Sequence, residues 1–171
     1  MTKVLTSAAA NKWIKTLEDE KSYYLSCEAI SSVYTLAEGE EEEKPEYDYK
    51  ATRDAVEKIN ETIRKIRHAV NVFNTTTLLP SLGITIDEAL VKMAQLNARK
   101  QTLDMMRKRL PKDRVNSFMN RTKAIVEYQY TNYEIGEVNE DYKRLSQEIV
   151  DIQLALDICN QTQTFEIEME E

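Results

Sequence analysis

The chain has 171 residues, 42% hydrophobic and 31% charged, with 23 Lys and Arg against 30 Asp and Glu and a net charge of -7. That length suits a single domain with room for a real core, and three glycines with three prolines are too few for a turn-rich β sandwich or a Gly/Pro-rich disordered chain. One histidine, His68, and two cysteines, Cys27 and Cys159, exclude both a zinc cluster of about four N or S ligands and a disulfide framework, leaving reduced thiols.

In chain order, Ala10, Trp13, Leu17, Tyr24, Cys27 and Tyr34 recur at a broken spacing of three and four, which predicts helix one over about 8–37. EGEEEEKPEYDYK, residues 38–50, combines glycine, proline and a run of like charge, so it reads as a solvated acidic linker. Val56, Ile59, Ile63, Ile66, Val70 and Phe73 form a heptad seam and predict helix two over about 51–75, stopped by NTTTLLPSLG. Thr85 and Glu88 fit a capping box that starts helix three, about 85–110, with a seam of Ile86, Leu90, Met93, Leu96, Leu103, Met106 and Leu110 ended by Pro111.

A short helical piece is expected around Val115 to Met119, after which the period changes to two. Ala124, Val126, Tyr128 and Tyr130 alternate with Ile125, Glu127, Gln129 and Thr131, which reads as a strand, and TN followed by YEIGEV closes a small β-hairpin over about 123–136. Asn139 then caps a last helix, about 139–163, with the seam Val138, Tyr142, Leu145, Ile149, Ile152, Leu156 and Cys159. The expected fold is mainly α: an antiparallel bundle of long heptad-bearing helices with that hairpin, in one domain over 1–171. Seams longer than the bundle covers imply a homo-oligomer, dimer or tetramer.

No stretch approaches the roughly 18 uninterrupted apolar residues of a membrane span, and MTKVLTSAAANKW lacks the apolar core of a secretion signal. The expectation is a cytoplasmic protein with no membrane partner. The charge is unevenly placed: residues 99–123 hold nine Lys and Arg against Asp104 and Asp113, a local +7 that leaves -14 on the rest of the chain. Such a cationic knot attracts anions locally while the remaining surface repels long polyanions, which argues for a compact ligand and against nucleic acid.

Guanidinium groups grip phosphate and tyrosine faces stack on bases, so the knot followed by tyrosines holds the parts of a nucleotide pocket. The candidate phosphate ligands are Arg99, Arg107, Arg109, Arg114, Arg121 and Lys123, and the candidate stacking residues are Tyr128 and Tyr130. Asn71, Asn74 and Thr77 add polar groups beside the start of helix three, where a helix N-terminus favours anions; the alternative is that they only cap and turn. The knot could equally pair with the acidic runs 38–43 or 166–171, in this chain or a neighbour. His68 lies off its seam and reads as a solvated side chain. No Gly-rich phosphate loop, G-x-S-x-G elbow or H-E-x-x-H is present, no carboxylate pair stands out, and no cofactor is implied, so the expectation is a protein that is not an enzyme.

Short motifs along nearly the whole chain resemble the septicolysin-like family of small helical bacterial and phage proteins. AEGEEEEKPE (37–46) is similar to its EGE-x-P segment, and Asn71, Asn74 and Thr77 match its I-N-R-T-N-x-x-T run, with Val72 in place of the arginine. TIDEAL (85–90) resembles T-L-T-D-A-L, and Tyr130, Glu134 and Ile135 match Y-S-R-S-E-I, with Asn132 in place of the second arginine. Ile152, Leu156, Asn160 and Thr162 resemble L-D-x-x-I-Q-x-x-N-W-T, with Gln161 in place of the tryptophan. The resemblance implies a helical fold; cytolysis does not follow, because an acidic chain of charged heptads offers no segment that inserts into a bilayer. The chain also resembles phage anti-defence sponges, small oligomeric proteins that sequester cyclic nucleotide immune signals. That implies a homo-oligomer holding a small nucleotide, such as a cyclic dinucleotide, without chemistry. The alternative is a coiled-coil adaptor that binds an acidic protein partner and no small ligand.

Overall fold

Regular three-and-four spacing lets a helix bury one stripe while its other faces stay charged, and α2 (Tyr49–Thr76) follows that rule. Ile59, Ile63, Ile66 and Phe73 are buried, and Asp48 caps the helix by accepting the N–H groups of Lys50 and Ala51 at 2.9 and 3.0 Å. The structure is a computed structural model that describes residues 2–40, 44–115 and 126–168. It is mainly α-helical, with four long helices and three two-stranded antiparallel sheets among the described residues. The chain divides into two compact units, residues 1–77 with 157–171 and residues 78–156.

In the first unit, strand β1 (Thr2–Thr6) leads into helix α1 (Ser7–Ser31), whose first turn is capped by the Thr6 hydroxyl accepting from the Ala9 N–H. α1 and α2 run antiparallel. Lys21 Nζ donates to Asn60 Oδ1 at 3.0 Å, and Arg67 Nη2 meets Glu18 Oε1 at 2.7 Å, tying the two helices together. The core joins Ala10 and Ile14 to Ile59, Ile63 and Ile66, with Trp13, Leu17 and Tyr24 packed at its edge. Strand β6 (Thr164–Glu168) pairs with β1 from Thr2 opposite Glu168 to Thr6 opposite Thr164. Its inward residues complete the core: Ile167 is buried in the cluster and the Phe165 ring lies 4.9 Å from that of Phe73.

In the second unit, β2 (Leu78–Leu79) and β3 (Ile84–Thr85) pair across a tight turn in which Gly83 takes φ +68, a conformation costly for other residues. Helix α3 (Ile86–Arg107) then starts on the expected capping box. The Thr85 hydroxyl accepts from the Glu88 N–H, while the Glu88 carboxylate accepts from the Thr85 N–H at 2.8 Å, which holds that carboxyl below its ordinary range. Thr85→Ala is expected to cost about 1 kcal/mol of stability, read as a lower urea midpoint at unchanged slope. α3 runs antiparallel to α4 (Ile135–Thr162): Lys92 Nζ meets Glu148 at 2.8 Å, and near the other end the Tyr133 hydroxyl donates to the Met106 carbonyl at 2.8 Å. Leu103, Val138 and Leu145 form the core between them.

All seven α4 seam positions are withdrawn from solvent, six of them buried and Tyr142 partly so. Elsewhere the structure departs from the pattern. α1 stops at Ser31, short of residue 37: Ile30 and Val33 are exposed, and a helix without a buried stripe gains little. α3 stops at Arg107, and Leu110 is exposed. YEIGEV does not return as a strand: α4 begins at Ile135, since Ile135 and Val138 already belong to its inward face, and Asn139 lies inside the helix rather than capping it. The helical piece expected around Val115 to Met119 lies, past Val115, outside the described residues, and Val115 is not helical.

Both cysteines are free; Cys27 is half-buried and Cys159 is buried, where desolvation pushes its thiol up. Iodoacetamide on the native chain is therefore expected to label Cys27 well before Cys159, with the two rates converging in denaturant; equal native rates would contradict this burial. No helix is long and apolar enough to cross a membrane among the described residues.

Candidate anion and stacking site

Period two governs this site, as the sequence pattern expects, but with a different strand pair. β4 (Lys112–Arg114) pairs antiparallel with β5 (Tyr128–Tyr130), setting Lys112 opposite Tyr130 and Arg114 opposite Tyr128. The ladder continues outward through Val115 N–H to the Glu127 carbonyl at 3.0 Å and Thr131 N–H to the Pro111 carbonyl at 3.2 Å. Side chains directly opposite each other share a face, so Lys112, Arg114, Tyr128 and Tyr130 form one side of the ribbon and Asp113 with Gln129 the other.

Lys112 Nζ lies 4.2 Å from the Tyr128 ring centroid and 5.5 Å from that of Tyr130, inside cation–π reach. Tyr128 is 47% exposed and Tyr130 62%, so both retain ring surface for a ligand. Beside them Lys108, Arg109, Leu110, Tyr130 and Thr131, with Asp113 and Gln129 from the ribbon's other face, line an open cleft of about 450 Å³, within the usual size of small-molecule sites. Among the described residues Arg109 and Arg114 have no ion-pair partner, so their guanidinium groups face solvent with donors to spare.

The rest of the knot is arranged differently. Arg107 donates through Nε to Asp104 Oδ1 at 2.9 Å and lies 4.0 Å over the Tyr142 ring, so it is tied to the α3–α4 pair rather than aimed at the ribbon. Lys108 also bonds to Asp104, and together Lys108 and Arg107 hold that carboxyl below its ordinary range. These contacts follow from spacings of three and four on one helix, a signal present in the sequence. Tyr142, Lys100, Gln101, Met105 and Asn97 line a separate groove of about 540 Å³. Arg99 is exposed on α3 and lines neither space. Arg121 and Lys123 lie outside the described residues.

Asn71, Asn74 and Thr77 belong to the first unit. Asn71 lines a small pocket of about 230 Å³ with Asn11 and Arg67, Asn74 is half-buried, and Thr77 is the C-cap of α2, its N–H donating to the Phe73 carbonyl at 2.9 Å. The α3 N-terminus, expected to draw an anion, already holds its own carboxylate, Glu88. His68 is exposed. Lys112 belongs to the knot and Tyr142 to the α4 seam, but neither pattern gives their cation–π contacts; the paired alternations Lys112-x-Arg114 and Tyr128-x-Tyr130 are the signal for the first. No group of three His, Cys, Asp or Glu poised to hold a metal occurs among the described residues.

No family model and no curated protein matches the chain. A solved structure is similar in fold: a functionally unknown conserved protein from Corynebacterium diphtheriae, 13% identical, with a TM-score of 0.63 over 95% of this chain and 99% of that one. At that identity the likeness concerns the fold alone.

Proposed function

We propose that the chain is a non-enzymatic binding protein that holds a compact, anionic, base-bearing ligand of the nucleotide class on the β4–β5 ribbon. The observation that carries this is the ribbon face itself, with the Lys112 ammonium over two exposed tyrosine rings and Arg109 lining a cleft that shares Tyr130. Arg109, Arg114 and Lys112 supply charge-assisted donors to phosphate, and Tyr128 with Tyr130 supplies stacking faces. In its finer form the ligand is a cyclic dinucleotide, sequestered intact in the cytoplasm in the manner of a phage sponge. The septicolysin-like resemblance enters as a relationship of fold, with no cytolytic activity attached.

The test is calorimetric titration with cyclic dinucleotides, cyclic trinucleotides, ADP-ribose derivatives and mononucleotides, each ligand recovered after denaturation. Arg109→Gln and Tyr130→Ala are each expected to weaken binding by about 1–3 kcal/mol, roughly ten- to a hundredfold. Arg107→Gln is expected to weaken it less, because that side chain is engaged by Asp104 and Tyr142. Wild-type affinity in both ribbon variants, or silence across the panel, overturns the assignment, and a ligand recovered cleaved makes the protein an enzyme. A second reading, an adaptor that docks an acidic protein partner, draws on one observation: Leu110, Val115 and Val126 expose aliphatic surface around the same ribbon.

A further inference from the structure

The end of α1 presents an apolar surface that the functional reading does not use. Tyr23 and Ile30, two turns apart and so on one side of the helix, are 68% and 77% exposed, and Val33, just beyond the C-cap Ser32, is 73% exposed. A contiguous apolar patch bounded by charge marks an interaction site more often than chance exposure. Its boundary is acidic: Glu38 and Glu40 follow directly, with the Glu40 carboxylate accepting the Ala37 N–H at 2.8 Å around Gly39, whose φ of +89 favours glycine. A partner must therefore be apolar at its centre and basic at its rim.

The chain itself carries a surface of that description. Around the β4–β5 ribbon Leu110 is 62% and Val115 43% exposed, flanked by Arg109 and Arg114, which have no ion-pair partner among the described residues. We infer that the α1 end of one copy docks on the β4–β5 ribbon of a second copy, Ile30 and Val33 against Leu110 and Val115, Glu38 and Glu40 against Arg109 and Arg114. Each copy bears both surfaces, so every copy can both offer and receive the contact. Complementary charge selects the register and speeds encounter, while the aliphatic side chains supply the desolvated centre. The inference rests on reading the ribbon as an anion-binding face: carboxylates of the neighbour occupy the guanidinium groups that a ligand phosphate would take, so docking and ligand compete.

Sedimentation velocity of the full chain, without nucleotide, tests the docking. The wild type is expected to self-associate as its concentration rises through the micromolar range, with the dissociation constant increasing about tenfold or more at high salt as the charge contacts are screened. Ile30→Glu with Val33→Glu, and separately Arg109→Glu with Arg114→Glu, each change only exposed side chains and are expected to remain folded by circular dichroism yet monomeric. An equimolar mixture of the two variants is expected to associate, because each keeps the surface the other has lost. A wild type monomeric at every concentration, self-association persisting in both variants, or a mixture that stays monomeric overturns the inference. The ligand reading is tested separately by titrating the Ile30→Glu, Val33→Glu variant with cyclic di-AMP and with inorganic pyrophosphate: tighter binding than in the wild type supports the competition. If neither probe binds either form while the mixture still associates, the docking stands and only the ligand reading falls.

Discussion

Ile66→Ala is expected to lower the free energy of unfolding by about 2–5 kcal/mol, a large part of the stability of an ordinary domain. Ile66 has no exposed surface, and it sits where α1, α2 and β6 converge, in a cluster with Ala10, Ile14, Ile59, Ile63 and Ile167. Truncation removes three carbons and leaves a cavity that these neighbours, each held on its own element, cannot fill. Urea unfolding followed by circular dichroism measures the change, and Val72→Ala on the exposed side of the same helix serves as the control, expected within about 0.5 kcal/mol of wild type. Equal effects at the two positions would contradict the assignment of the inward face.

The second large effect is expected at Ile167→Asp. Ile167 is buried on β6, and a carboxylate there would be taken out of water without a described partner, which costs several kcal/mol unless the group protonates or the strand leaves the core. Release of β6 would also free its partner β1, so the amides of residues 3–5 and 165–167 are expected to lose hydrogen-exchange protection together. Glu166→Ala, one residue away on the exposed side of the strand, is expected to change stability by less than about 0.5 kcal/mol. Retained protection in Ile167→Asp would show that the termini are held by something other than this packing.

How far the site was legible depends on the range of the signal. Asp104 meeting Arg107 and Lys108 is a pattern of one helix turn, open to anyone counting three and four, and it gives two cations of the knot a carboxylate partner. The alternation Tyr128-x-Tyr130 gave the strand, but its nearest candidate partner in sequence, YEIGEV, was the wrong one. Ile135 and Val138 had a better use on the inward face of α4, and the backbone groups of β5 found Lys112 to Arg114 instead. Asn71, Asn74 and Thr77 stand near the α3 start in sequence, and folding gives them a pocket wall, a half-buried position and a cap in the first unit.

By itself the sequence determined the helical class, the inward faces of α2 and α4, and the Thr85–Glu88 capping box, because each rests on interactions within a few residues, where periodicity and capping chemistry repeat the geometry of the helix. Tertiary structure alone decided that TKVLT pairs with TFEIE, that β4 pairs with β5, and that α1 stops where Ile30 and Val33 stay exposed. A short strand is stable only on a partner and a core, and neither is written in the strand's own residues.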